Sequence, residues 1–186
     1  MKAFLRFFSA ALLCTFALSM PAMAGTPKAP ASPAAPASPA APDERPVIGI
    51  RQKNAIKVVF QITSGDANAD GASKGLSALE KTYSHYLEEG VPPKELSIHV
   101  VIHGDAADYL LTDAAWNRVK NTNTGNPATS LVESLLRHGV HVELCNSRRV
   151  INGWEKADIH PGVVLVANAY HRLAELQLAG YAFIRL

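Results

Sequence analysis

From residue 55 onward the apolar positions form two alternating kinds of run, short ones rich in β-branched residues and longer ones at helical spacing. "AIKVVFQIT" (55–63) predicts a buried strand. "KGLSALEKTYSHYLEEG" then places Leu76, Leu79, Tyr83 and Leu87 on one helical face before Gly90 stops it. "LSIHVVIHG" predicts a second strand, "DAADYLLTDAAWNRVKN" one or two short helices, and "TNTGNP" a turn cluster. "PATSLVESLLRHG" is a helix with Pro127 near its start and Gly139 at its end. "VHVELC" is a third strand, "SRRVINGWEKA" a short helix, "GVVLVAN" a fourth strand, "AYHRLAELQLAG" a helix and "YAFIRL" a terminal strand. This alternation predicts an α/β fold with helices on the faces of a parallel sheet, because parallel neighbours need crossover connections.

The first residues follow a different pattern. "MKAFLRFFSAALLCTFALSMPAMA" has a basic start at Lys2 and Arg6, an apolar stretch from Phe7 to Leu18 and the small-residue ending Ala22-Met23-Ala24. That is the layout of a secretory signal peptide, with cleavage expected after Ala24 and a periplasmic destination. Ser9, Thr15 and Ser19 interrupt the run, which falls short of the roughly 20 apolar residues of a membrane span. Cys14 follows two leucines where a lipid-attachment site needs a small residue, so it is assigned to the discarded peptide. Residues 25–46 repeat an Ala-Ser-Pro-Ala-Ala-Pro unit and read as an extended Pro/Ala-rich linker. Residues 47–186 have the length of one domain.

Charge narrows the partners. The chain carries 18 Lys and Arg against 16 Asp and Glu, and the signal peptide takes two bases with it, leaving 16 against 16. A neutral domain without a basic cluster offers nucleic acid no electrostatic footprint. No second hydrophobic span follows the first, so no membrane span is expected after signal removal.

Removal of residues 1–24 leaves Cys145 as the only cysteine. Three readings of it stand: a reactive thiol, an intermolecular bridge, or an inert small hydrophobe. Its position favours reactivity, because reactive groups of open parallel sheets collect at the carboxyl ends of strands, where Cys145 and His103 are both expected. In "NSRR" behind it, Asn146 is expected to cap the next helix and aim its first amides at the sulfur. Ser147, Arg148 and Arg149 extend this anion-stabilising set, and a cation near a helix start favours thiolate over thiol. Ser64 and Asp66, in the strand-to-helix turn "TSGDANADGAS", are candidate lining residues. That turn lacks the lysine of a phosphate loop and the spacing of a calcium loop.

No metal site is expected. His141 and Cys145 lie four residues apart on a strand, about 13 Å, too far to share an ion, and His99 and His103 fail by the same test. There is no Cys-x-x-Cys dithiol. Trp116, Trp154 and Tyr170 read as packing residues, and His138, His160 and His171 as surface or capping residues.

The segments "VVFQITSGD", "VVIHGDAADYLL", "SLLRHGVHVELCNS" and "HPGVVLVANAYHRLAELQLAGYAFIRL" together resemble the DsrE/DsrF-like family of small sulfur-relay proteins, from about Lys57 to the end of the chain. The resemblance implies a three-layer α/β/α domain with a five-stranded, mainly parallel sheet of order 4-3-2-1-5. It also implies an oligomer of identical subunits and a cysteine at Cys145 that carries sulfane sulfur as a persulfide. A sulfur donor or acceptor protein is the implied partner, and no cofactor is implied. With that strand order His103 and Cys145 end neighbouring strands about 4.8 Å apart, within hydrogen-bonding reach of each other. For self-association, "DAADYLLTDAAW" offers Tyr109, Leu110, Leu111 and Trp116, more apolar surface than a short helix buries alone. The competing class is a non-catalytic oligomeric binding or structural module whose cysteine is inert or bridges subunits.

Overall fold

Strands form at the five β-rich runs: β1 (Ile56–Ile62), β2 (Leu96–Ile102), β3 (His141–Cys145), β4 (Val164–Val166) and β5 (Ala182–Arg185). Between them lie α1 (Lys74–Glu88), α2 (Asp113–Lys120), α3 (Thr129–Arg137), α4 (Asn146–Ile151) and α5 (Ala169–Leu178). The computed structural model describes residues 45–186, so the signal-peptide reading and all but the end of the linker reading lie outside the described residues. Residues Pro46–Leu186 make one compact unit. No helix among the described residues is long and apolar enough to cross a membrane.

The strands pair in the order β4-β3-β2-β1-β5, and every pairing is parallel. Local chemistry starts the crossover helices where the sequence predicts them. The side-chain oxygens of Ser73, Thr112 and Asn168 accept from the first free amides of α1, α2 and α5. Gly90, at φ +81°, follows α1 in the left-handed conformation that a glycine adopts without strain.

Because side chains alternate along a strand, each strand contributes to both faces of the sheet. On one face Ile56, Val58, Phe60 and Ile62 of β1 meet Ile98, Val100 and Ile102 of β2 and Val142 and Leu144 of β3. Leu76, Leu79 and Tyr83 of α1, Ala115 of α2 and Val132 and Leu135 of α3 cover them. Leu87, in the last turn of α1, is exposed rather than packed with the others. The opposite face has a small cluster in which Val59, Val101 and Cys145 pack under Ala169, Leu173 and Leu176 of α5.

The segment expected to present apolar surface does not do so. Tyr109, Leu110 and Leu111 are buried in the larger core, and Trp116 stacks on Tyr109 with ring centroids 5.6 Å apart. The 3-10 helix Gly104–Leu110 folds back onto the sheet, so these side chains finish the core of the subunit itself. Trp154 is also a core residue, whereas Tyr170 stands 66% exposed on α5 and is not a packing residue.

Candidate functional site

At the carboxyl ends of β1 and β2 the chain makes one tight hook. The amides of Asp105 and Ala106 both donate to the Thr63 carbonyl, at 3.0 and 3.2 Å, and the His103 amide donates to the Ile62 carbonyl at 3.2 Å. Gly104 allows this approach: its φ is +63°, and a Cβ there would sit 2.7 Å from the Thr63 oxygen. The hook fixes His103 directly after the last residue of β2. Since Ile102 pairs with Leu144, the register carried one residue further sets His103 opposite Cys145. Strand alternation turns both side chains to the face covered by α5.

Cys145 ends β3 and is also the cap residue of α4. It is 6% exposed, belongs to the apolar cluster under α5, and carries no disulfide. Asn146 is not the cap. It is the first residue inside α4, because Cys145 is the last extended residue and the helix starts one position earlier than expected. Its Oδ1 instead accepts from Arg149 Nε at 2.8 Å, and Arg149 Nη1 also donates to the Trp154 carbonyl. Asn146 and Arg149 therefore brace α4 and the turn after it. Ser147 Oγ donates to the Ala167 carbonyl at 3.0 Å, tying α4 to the end of β4. Arg148 Nη2 binds Asp105 Oδ1 at 3.0 Å and so links α4 to the hook that holds His103.

His103 spends its hydrogen bond elsewhere than expected. The Gln61 side-chain amide donates to His103 Nε2 at 2.8 Å, and no hydrogen bond joins His103 to Cys145 among the described residues. Acceptance at Nε2 requires a ring without a proton there. Burial pushes the His103 pKa down, and the positive charges of Arg185 and Arg148 push it further the same way. The imidazole is thus a neutral base one strand away from the sulfur. The ring of Tyr170 meets it edge-on at 5.2 Å.

Ser64 and Asp66 line a cavity of about 520 Å³ that they share with Asp105, Asp108, Trp116 and Lys120. Ser64 Oγ accepts from the Asp66 amide at 3.1 Å. Neither Cys145 nor His103 lines that cavity. Asp105 connects the two places through Arg148. No group of three or more His, Cys, Asp or Glu among the described residues is arranged to hold a metal ion.

One polar cluster on the α5 face was not predicted. Glu143, in the middle of β3 with a side chain 3% exposed, accepts from Arg172 of α5 at 2.8 and 2.9 Å and lies 2.6 Å from His99 Nδ1. Burial alone would raise the Glu143 pKa, but the hydrogen bonds from His99 and Arg172 outweigh it and hold the carboxyl below its usual range. The Arg172 pKa is raised, chiefly by the same contact with Glu143. His141 stacks on His99 at 4.3 Å, and Tyr181 meets His99 edge-on at 5.0 Å. The signal for this cluster was present in "LSIHVVIH", where Ser97, His99 and His103 alternate with Ile98, Val100 and Ile102. Read at period two, the run has one apolar face and one partly polar face.

The sequence of residues 57–186 matches the profile of the DsrE/DsrF-like family. Among solved structures, the fold resembles a protein of unknown function, MTH1491 from Methanobacterium thermoautotrophicum, at 21% identity and TM-score 0.51, over 70% of this chain and 99% of that one. The ychN protein from E. coli is similar over 70% of this chain and all of its own, at 17% identity and TM-score 0.49. No curated protein matches.

Proposed function

The chain belongs to the DsrE/DsrF-like family, which is associated with sulfur relay, and from that premise we propose that Cys145 is a sulfur carrier. The reading rests on one juxtaposition. The sole cysteine of the described residues ends β3 beside the residue that follows β2, and that residue is a histidine held neutral. In the proposed reaction the Cys145 thiol gives its proton to His103 after a side-chain rotation, and the thiolate attacks the outer sulfur of a persulfide R–S–SH. A sulfur–sulfur bond forms on Cys145 as the donor's own sulfur–sulfur bond breaks. The departing R–S⁻ takes the proton back from His103 as R–SH. The net exchange, Cys–SH plus R–S–SH giving Cys–S–SH plus R–SH, needs no external oxidant or reductant. A thiol on an acceptor then draws the sulfur off by the same chemistry.

The proposal includes export to the periplasm through the N-terminal segment and association of identical subunits. Exposed Leu178 of α5 and Ile184 of β5 favour association at that edge. Sedimentation at micromolar concentration is expected to show an oligomer, and a monomer would remove that part.

The second reading, an inert cysteine in a binding or structural module, draws on a specific observation: Cys145 is buried among Val101, Ala169 and Leu173. Intact mass before and after treatment with a persulfide donor separates the two. One added sulfur on the wild type and none on Cys145→Ala is expected. No addition to the wild type, or equal addition to both, would sink the carrier reading.

A further inference from the structure

A second cavity, of about 650 Å³, opens between α5 and the carboxyl ends of β1 and β5, with His103 in its wall. Gln61, Tyr170, Leu173, Phe183 and Arg185 are among the residues that line it. Its electrostatics are one-sided. Arg185 is the only charged side chain in the lining, and no Asp or Glu lines it. Among the described residues the guanidinium forms no ion pair, and its one hydrogen bond is a long one, 3.4 Å, to Thr63 Oγ1. Arg185 contributes to the positive field that depresses the His103 pKa. Such a cation favours an anion. Tyr170, Leu173 and Phe183 give the same cavity an apolar wall, which an inorganic ion would leave unused.

The cavity adjoins the packing around the sulfur, although Cys145 itself does not line it. Leu173 lines it and belongs to the cluster that buries Cys145. In the sheet order β5 and β3 are separated by β1 and β2, and Arg185 is level with Gln61, Val101 and Glu143, two residues short of Cys145, so the two backbones lie about 16 Å apart. A donor whose charge and transferable sulfur share one small group, such as thiosulfate, does not reach both.

Resting on the carrier reading of Cys145, we propose that this cavity binds the sulfur donor, and that the donor is a low-molecular-weight organic persulfide with an apolar body and a carboxylate remote from its sulfur. The carboxylate pairs with Arg185, the body lies along Leu173 and Phe183, and the persulfide passes His103 to reach Cys145. The transfer is the exchange written above, with the donor leaving as its free thiol.

The test uses the full chain carrying Cys14→Ser, so that Cys145 is its only cysteine, and three compounds: the persulfide of mercaptohexanoate, the persulfide of mercaptohexanol, which lacks the charge, and methylthiohexanoate, which has the charge and body but no transferable sulfur. Calorimetric titration with methylthiohexanoate measures the cavity alone, and intact mass measures loading of Cys145. Methylthiohexanoate is expected to bind, and Arg185→Gln to weaken it about tenfold, the loss of one charge-assisted contact. Loading by the charged persulfide is expected to saturate and to be inhibited by methylthiohexanoate. The uncharged persulfide is expected to load only at about tenfold higher concentration. Phe183→Ser, on the exposed edge strand, is a second variant that should weaken binding severalfold without touching the charge. Loading that ignores Arg185→Gln, the competitor and the donor's charge would overturn the cavity as the donor site and leave the persulfide on Cys145 standing. Binding of methylthiohexanoate with no loading by any donor would overturn the carrier reading, and the donor class with it.

Discussion

The two faces of this sheet are built from alternate residues of the same strands and follow different rules. Under α1, α2 and α3 the inward positions are almost all aliphatic or aromatic, and many are fully buried. Burial of that kind contributes about 1.5–3 kcal/mol per large side chain and is indifferent to pH. Under α5 the apolar cluster is small, and polar groups flank it on both sides. On one side His99 of β2 and Glu143 of β3 meet Arg172 of α5, and on the other Gln61 meets His103 at the carboxyl ends of β1 and β2. A fold that meets its stability requirement with one face leaves the other free for groups that are costly to bury.

The largest expected effect lies on the apolar face. Phe60→Ala removes a ring that is 1% exposed and should cost about 3–5 kcal/mol in denaturant unfolding. A loss under 1 kcal/mol would mean that this face does not dominate stability.

Next comes Glu143→Gln, which leaves Arg172 paired only with the exposed Glu175, 2.9 Å away. Arg172 keeps 26% of its side chain in solvent, so the loss should be about 2–3 kcal/mol at neutral pH rather than the 3–5 of a fully buried pair. The same variant has an acid signature. A carboxyl held below its usual pKa in the fold adds stability that is fully present above about pH 4.3 and is lost as pH falls through the folded value. Urea midpoints from pH 7 to pH 3 should therefore drop more steeply for wild type than for Glu143→Gln. Parallel curves would show that Glu143 is not ionised in the fold.

The smallest effect is at the rim of the same network. Burial and the neighbouring His99 hold the His141 pKa down, so on acidification below about pH 6.5 the unfolded chain takes up a proton there before the folded one does. Wild-type stability should begin to fall in that window, and His141→Gln should flatten the curve between pH 7 and pH 5.5. An unchanged slope would show that the stacked imidazoles do not affect stability in that range.

Much of the fold was legible because burial on two faces of a parallel sheet leaves continuous β-branched runs, and the crossover helices carry their own caps and stops. Ser73, Asn168, Gly90 and Gly139 are local signals, and local signals survive in a sequence read alone. The position of Cys145 at the end of its strand was legible for the same reason. Its partners were not. Asn146 has the chemistry of a cap, yet the helix begins one residue earlier and turns that side chain toward Arg149. Arg148 and Arg149 are adjacent in sequence and equal in charge, but one holds Asp105 and the other the Trp154 carbonyl.

The sequence by itself determined the order of the elements, the class of the fold and the thiol of Cys145 at a strand end, since these follow from periodicity, turn chemistry and composition within short windows. Tertiary structure alone decided that His103 bonds Gln61 rather than Cys145, that Glu143 joins His99 and Arg172 across 44 and 29 residues of chain, and that Arg185 faces a cavity with no opposing carboxylate. Each of these depends on strand register and on which helix crosses which face, and a side chain's identity carries no record of the partner that a distant segment will bring to it.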